Sequence, residues 1–337
     1  MTQRLLLTGG TGFFGRALLR QFHSEAALSS AGLPHGYHEV RVVSRNPKAF
    51  AARYTDLAVA PWLHWISADV THSPSLAVLA GPVDVVLHAA TDSTDAGGMT
   101  PINTLDQIVQ GARNVLDLAV RLNARRFLFT SSGGAYGPQP AGMEQIPETY
   151  LGMPDPLVAG STYGLGKRLA EHLCFLNGQQ HGLEVVIARC FAFLGPDLPL
   201  NVHFAIGNFI RDALWAEEIV VNGDGTPLRT YLDQRDLAVW LTSLLFDGKS
   251  GQAYNVGSDE VVSISELAYL VRDLLSPDKP VRILGAPQTN KDRNRYVPDI
   301  TKIHKHLNLS PTFSLRQSIL ETAKTAQSKG KEACLAA

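Results

Sequence analysis

The sequence carries no surplus of charge: 30 lysines and arginines stand against 31 aspartates and glutamates in 337 residues. So even a balance offers no general attraction to nucleic acid or to an anionic membrane surface. Neither is expected as a partner, and an anionic ligand would have to be held by individual arginines. Long apolar runs are also missing. No stretch approaches the ~18 apolar residues that a membrane helix needs. The opening Met1 to Leu7 has one basic residue and a short apolar run that Gly9 and Gly10 end, which is not the layout of an export signal.

Cysteine is scarce. Cys174, Cys190 and Cys334 are three in all, at spacings that match no zinc or redox motif, so no metal is expected. Cys174 and Cys190 have apolar neighbours and read as core residues. Reduced thiols fit a cytoplasmic protein. What is plentiful is ordinary globular material, 45% hydrophobic and 18% charged residues, enough for a large domain with a smaller companion.

Strands and helices alternate through the first half, which argues for a parallel sheet covered on both faces. The strands are Arg4–Thr8, Val40–Ser44, Leu63–Ser67, Val83–Ala90 and Arg126–Ser131, with a polar loop over Ser29–His38. Helices are expected over Phe14–Leu28, Thr104–Arg121 and Tyr163–Gln180. The apolar faces of the last two are wider than one sheet surface requires, which leaves an ordinary buried helix and a subunit interface both open. After the strand Val185–Ala188 the pattern changes to a loop over Gly195–Asn201, helices near Phe204–Glu217, Asp236–Phe246 and Ile264–Leu275, and a strand Ala253–Val256. The last part carries Pro280, Pro287 and Pro298, and the small polar tail from Ala326 is expected to fray.

Chemistry enters at Thr8-Gly9-Gly10-Thr11-Gly12-Phe13-Phe14-Gly15, between a strand and a helix. Gly9, Gly12 and Gly15 would let the backbone approach a pyrophosphate while the helix N-terminus faces its charge. The second strand ends in Ser44-Arg45 instead of the acid that would bind both ribose hydroxyls of NAD. Ser44 removes the repulsion of a 2′-phosphate and Arg45 offers it donors, so NADP is favoured, with NAD possible. Asp69-Val70 follows the third strand, where the carboxylate could accept from an adenine amino group. Ala89 and Ala90, after His88, leave room for a cofactor. His88 itself reads as a structural strand-end residue, and Trp62, Trp65, Trp215 and Trp240 as packing.

Tyr163 and Lys167 are four apart on one helix face, with Ser131-Ser132 upstream at a strand end. An ammonium beside the phenol would favour phenolate and lower the tyrosine pKa. The tyrosine could then exchange a proton with a carbinol or carbonyl while a nicotinamide exchanges hydride, Ser132 hydrogen-bonding the reacting oxygen. His203 is a candidate base or substrate contact, against the plainer reading of a capped or solvated residue at a helix start.

With these segments in hand, the chain resembles the extended short-chain dehydrogenase/reductases, the epimerase/dehydratase family acting on nucleotide sugars. The likeness runs through Thr8–Gly15, Phe129–Gly137, Tyr163 with Lys167, Arg189–Pro196, Gly223–Arg229, Asp236, Tyr254–Gly257 and Arg295–Ile300. It implies a doubly wound Rossmann sheet of about seven strands with a smaller C-terminal substrate domain. Residues 1–188 with about 230–257 would bind the dinucleotide, and about 189–229 with 258–325 the nucleotide sugar. Catalysis would fall to Ser132, Tyr163 and Lys167. Cofactor contacts would come from Gly9, Gly12, Phe13, Phe14, Gly15, Ser44, Arg45, Asp69, Val70, Ala89, Ala90 and Thr130, together with Tyr163 and Lys167. Thr91, Ser132, His203, Arg229 and Arg295 would meet the substrate, the two arginines on its diphosphate. The resemblance also implies a homodimer and a family-level role in surface polysaccharide.

Departures narrow this. Dehydratases of the family place an Asp-Glu pair after the strand-five hydroxyl residue, and here Gly133-Gly134 follow Ser132. Ala192 and Ile108 stand where asparagines are common. The leading expectation is an NADP-preferring reductase of a nucleotide-linked 4-keto sugar, and the rival is a C4 epimerase with tightly held NAD. A small-ketone reductase would have no use for Arg229 and Arg295, and a non-catalytic dinucleotide sensor would be expected to have lost Tyr163 or Lys167.

Overall fold

The structure, a computed structural model, describes residues 3–28, 33, 36–91, 98–286 and 294–335. Seven strands form one parallel sheet: β1 (Gln3–Thr8), β2 (Tyr37–Ser44), β3 (Leu63–Ser67), β4 (Val85–His88), β5 (Arg126–Ser132), β6 (Glu184–Cys190) and, after four short strands, β11 (Gln252–Val256). Their order, β11-β6-β5-β4-β1-β2-β3, reverses direction between β1 and β4, and crevices for ligands open at such a switch point.

The central strands β1, β4 and β5 are largely buried on both faces because both are covered. Alternate side chains divide between two cores, as the pleat requires. Leu5, Leu7, Val85, Leu87 and Leu128 face α1 (Phe13–Leu28) and α7 (Gln234–Asp247), with Trp240 filling that layer. Leu6, Val86, Phe127 and Phe129 face α4 (Pro101–Arg121) and α5 (Thr162–His181), which pack on each other. Trp62 packs edgewise on Phe22, and Trp65 packs at a tilt on Phe50. Two short helices, α2 (Pro47–Arg53) and α3 (Thr55–Ala58), lead from β2 to β3.

Paired short strands build the rest: β7 (Phe193–Leu194) with β10 (Leu232–Asp233), β8 (Ile219–Val221) with β13 (Val281–Ile283), and β9 (Leu228–Arg229) between β12 (Val262–Ser263) and β14 (Arg295–Tyr296). Helices α6 (Ala205–Trp215), α8 (Ile264–Leu275) and α10 (Leu315–Lys329) share a core of their own, while α9 (Thr301–Leu307) lies against β11. Two of these helices start at reciprocal caps, Ser263 with Glu266 and Ser314 with Gln317.

The tail departs from expectation. Instead of fraying from Ala326, the chain stays helical to Lys329 and again in α11 (Lys331–Leu335). The reason is a stripe of Leu315, Ile319, Ala323 and Ala326 at helical spacing, all buried in the third core. The second strand starts at Tyr37, inside the expected loop, and most of that loop, like Pro287, lies outside the described residues.

Candidate active site

A cavity of about 1300 Å³ opens at the C-terminal ends of β1, β2, β4, β5 and β6. At one end is the glycine turn. Gly9 has φ +77°, and a side chain there would run into the Ala89 carbonyl, so only glycine keeps β1 and β4 this close. The Gly12 amide donates to the Gly9 carbonyl at 3.0 Å, closing the turn directly before α1, whose first amides have no partner within the helix. Gly12, Phe13 and Phe14 line the cavity, whereas Gly15 does not and packs against Gly9 and Gly10.

Ser44, Arg45, Asp69, Val70, Ala89, Ala90, Thr91 and Thr130 continue the lining. Arg45 is exposed at the rim. Asp69 Oδ1 accepts from the Thr71 amide and hydroxyl, both at 2.8 Å. His88 lies behind this wall, its Nδ1 2.6 Å from Thr8 Oγ1, and burial, with Lys167 near, depresses its pKa to about 3. It is a neutral, structural histidine.

The other end gathers Ser132, Tyr163, Tyr296 and Lys167. Gly164 lets α5 approach the Gly134 carbonyl, and this contact brings Tyr163 beside the end of β5. Ser132 Oγ accepts from the Gly134 amide at 3.0 Å and lies 3.5 Å from the Tyr296 hydroxyl. Lys167 Nζ donates to Thr91 Oγ1 at 2.9 Å and to the Thr130 carbonyl at 2.8 Å.

One electrostatic expectation is overturned. Lys167 sits over the Tyr163 ring, 5.7 Å from its centroid, and also over Phe129, with its hydrogen bonds directed elsewhere. Burial, seconded by Tyr296 and Cys190, therefore holds the Tyr163 phenol well above its usual pKa. The cost of burial falls on the lysine too, lowered to about 8.

Arg229 borders the same end, half-buried, its guanidinium donating to the Leu228 carbonyl and, at 3.1 Å, to Asn294 Oδ1. Arg295 is displaced from this set. Neighbours on a strand face opposite ways, so Tyr296 enters the cavity while Arg295 lines a smaller cleft beside it, which shares Tyr163, Arg229 and Tyr296. His203 lines the cavity but is exposed, its ring 4.4 Å from that of Phe204. Ala192 is in the lining and Ile108 is buried in the second core. Cys190, besides packing in the first core, reaches the cavity wall, its thiol pushed up to about 12 by burial.

Sequence reasoning missed Tyr296 and Tyr231. Both had a signal: Tyr231 is two residues from Arg229, a same-face spacing on extended chain, and Tyr296 adjoins a residue already singled out. Among the described residues there is no cluster of three or more potential metal ligands, and no helix is long and apolar enough to cross a membrane.

With the site described, relatives can be set beside it. The profile of the NAD dependent epimerase/dehydratase family matches residues 5–257. UDP-glucuronic acid decarboxylase 1 of Danio rerio is 30% identical over 324 residues, 95% of this chain and 72% of that protein. UDP-glucuronic acid decarboxylase 5 of Arabidopsis thaliana is 30% identical over 317 residues, 94% of this chain and 87% of that protein. Among solved structures, UDP-glucose 4-epimerase of Thermotoga maritima with UDP-glucose superposes with a TM-score of 0.80 at 20% identity, covering 97% of this chain and 99% of that one. UDP-glucuronic acid 4-epimerase of Bacillus cereus, with UDP-glucuronic acid and NAD, gives 0.79 at 20% identity, covering 97% and 100%.

Proposed function

Because the chain belongs to the NAD-dependent epimerase/dehydratase family, we propose that it catalyses hydride exchange at C4 of a nucleoside-diphosphate sugar, reducing a 4-keto sugar with NADPH. One observation carries the reaction type: the hydroxyls of Ser132, Tyr163 and Tyr296 gather between the glycine turn and Arg229, with no carboxylate of the described residues among them. Among the described residues, the acids lining the cavity are Asp69, at the cofactor end, and Asp197, which is ion-paired. Eliminating water would call for an acid and a base beside the sugar, whereas exchange at one carbon needs one proton donor.

A bound nicotinamide dinucleotide supplies the hydride. Tyr163, held protonated, donates its proton to the C4 oxygen. Ser132 Oγ already accepts from Gly134 and so has its own proton free to hydrogen-bond that oxygen. Lys167 has three N–H donors and spends two on Thr91 and Thr130, which leaves one for a ribose hydroxyl. Arg229 takes the substrate diphosphate, and Arg45 a cofactor 2′-phosphate.

The second reading is C4 epimerisation with NAD retained through the cycle. It is favoured by the NAD in the Bacillus cereus epimerase structure and by the same single-carbon chemistry. The curated relatives add UDP-glucuronic acid as a substrate to test. The deciding experiment identifies any dinucleotide released on denaturing the purified protein, then assays a 4-keto sugar nucleotide with NADPH or NADH. Substrate-dependent oxidation of NADPH supports the reductase. Retained NAD with interconversion of two sugar epimers, or carbon dioxide from UDP-glucuronic acid, replaces it.

The free cysteines fit a cytoplasmic setting. Leu169, Phe175 and Leu176 leave an exposed apolar stripe on α5, and we take it as the contact of a homodimer. Light scattering at micromolar concentration should return twice the chain mass, and a monomer would remove the dimer.

A further inference from the structure

The cavity has a wall that none of the motifs supplies. Thr322, Ala326, Lys329 and Cys334, on α10 and α11, line it together with Gly9, Gly12 and Arg16. All four lie beyond residue 257, where the family match ends.

Lys329 is linked to the glycine turn through one buried carboxylate. Arg16 donates to the Thr11 carbonyl inside the turn at 2.8 Å and to the Asp197 carbonyl at 2.7 Å. Its Nε is buried without a hydrogen bond, 3.5 Å from Asp197 Oδ1. The Asp197 side chain has no exposed surface, and Arg20 grips both of its oxygens, at 2.8 and 3.1 Å, while Gln234 Nε2 donates at 3.0 Å. Lys329 Nζ stands 3.9 Å from Oδ1 and donates to the Pro196 carbonyl at 3.3 Å.

Charge does not balance in this group. Arg16, Arg20 and Lys329 face Asp197 and, through Arg20 alone, the exposed Asp56. One positive charge is left over. Arg20 and Asp56 are outside the cavity lining, so the excess sits on the two cations inside it, Arg16 and Lys329. A partly buried surplus cation is stabilised when an anion arrives.

We propose that Arg16 and Lys329 form a second subsite for the cofactor pyrophosphate, opposite the backbone amides of the glycine turn, with Asp197 as the positioning residue that holds both cations against that turn. The C-terminal helix then covers the dinucleotide as well as completing the third core. This rests on dinucleotide binding and not on the sugar chemistry proposed above.

The test is calorimetric titration of the full-length protein with NAD, NADP and adenosine at low and high salt, beside a thermal melt. Lys329→Gln should weaken both dinucleotides about three- to tenfold, flatten the salt dependence, and leave adenosine binding and the melting temperature unchanged. Lys329→Arg should bind as the parent does. Asp197→Asn gives the sharper sign: if the carboxylate positions the cations, dinucleotide binding weakens even though a negative charge has been removed. Tighter binding in Asp197→Asn, unchanged affinity in Lys329→Gln, or equal losses for adenosine and NAD would each overturn the subsite. A parent protein that binds neither dinucleotide would bring down the cofactor reading along with it.

Discussion

The two ends of the cavity are assembled from the chain in different ways. At the cofactor end, the turn from Thr8 to Gly15 is one uninterrupted segment between β1 and α1. At the sugar end, Ser132 meets Tyr296 across 164 positions of sequence, and Arg229 is held by Asn294 across 65. The first end depends on backbone geometry, glycine positions and helix amides. The second depends on side chains that β5, α5, β9 and β14 deliver from far apart. A contiguous turn keeps its shape wherever a strand and a helix flank it, whereas the scattered set exists only while the small sheets stay packed on the large one. The two ends should therefore be separable by substitution.

Tyr163 stands where they join, and its loss should have the largest effect. Tyr163→Phe keeps the ring and removes the proton, so turnover should fall roughly 10²–10⁴-fold with both ligands still bound. Calorimetry beside the rate assay checks this, and rates like the parent's would take Tyr163 out of the chemistry.

Arg229→Ala should touch the sugar end alone. A charge-assisted bond to phosphate is worth roughly 1.5–3 kcal/mol, so the KM for a nucleotide sugar should rise about tenfold to a hundredfold while the KM for the dinucleotide stays put. Equal weakening of both would mean that the ends are mechanically coupled.

The smallest effect belongs to the cofactor rim. Ser44→Asp with Arg45→Ala should move preference from NADP towards NAD, the new carboxylate accepting from ribose hydroxyls and repelling a phosphate. Arg45 is exposed and screened by water, so a shift of only a few-fold is expected from parallel titrations. A parent without NADP preference would remove the assignment outright.

What could be read in advance follows the same division. Central parallel strands buried on both faces are largely apolar runs, and Arg4–Thr8 and Arg126–Ser131 fall within a residue of the observed β1 and β5. The edge strand Leu63–Ser67 matches β3 although part of it is open to solvent. The helix Ile264–Leu275 has the expected limits because Ser263 and Glu266 cap it. Arg295 and Tyr296 were harder. A motif names adjacent residues, but the facing of a two-residue strand is set by its partner β9, far away in sequence. The tail misled because it is itself polar and small-residue, while the Leu315–Ala326 stripe that anchors α10 lies ahead of it in the sequence.

Alone, the sequence determined a parallel sheet covered on both faces, the glycine turn and the placing of Tyr163 and Lys167 on one helix face, since each is written in the alternation of elements or in spacings shorter than one. Only the tertiary structure decided that Lys167 lies over the Tyr163 ring, that burial raises the pKa of the phenol, that Tyr296 and not Arg295 enters the cavity, and that Lys329 returns to the glycine turn through Asp197. Burial and the meeting of distant side chains are properties of packing, and no local spacing encodes them.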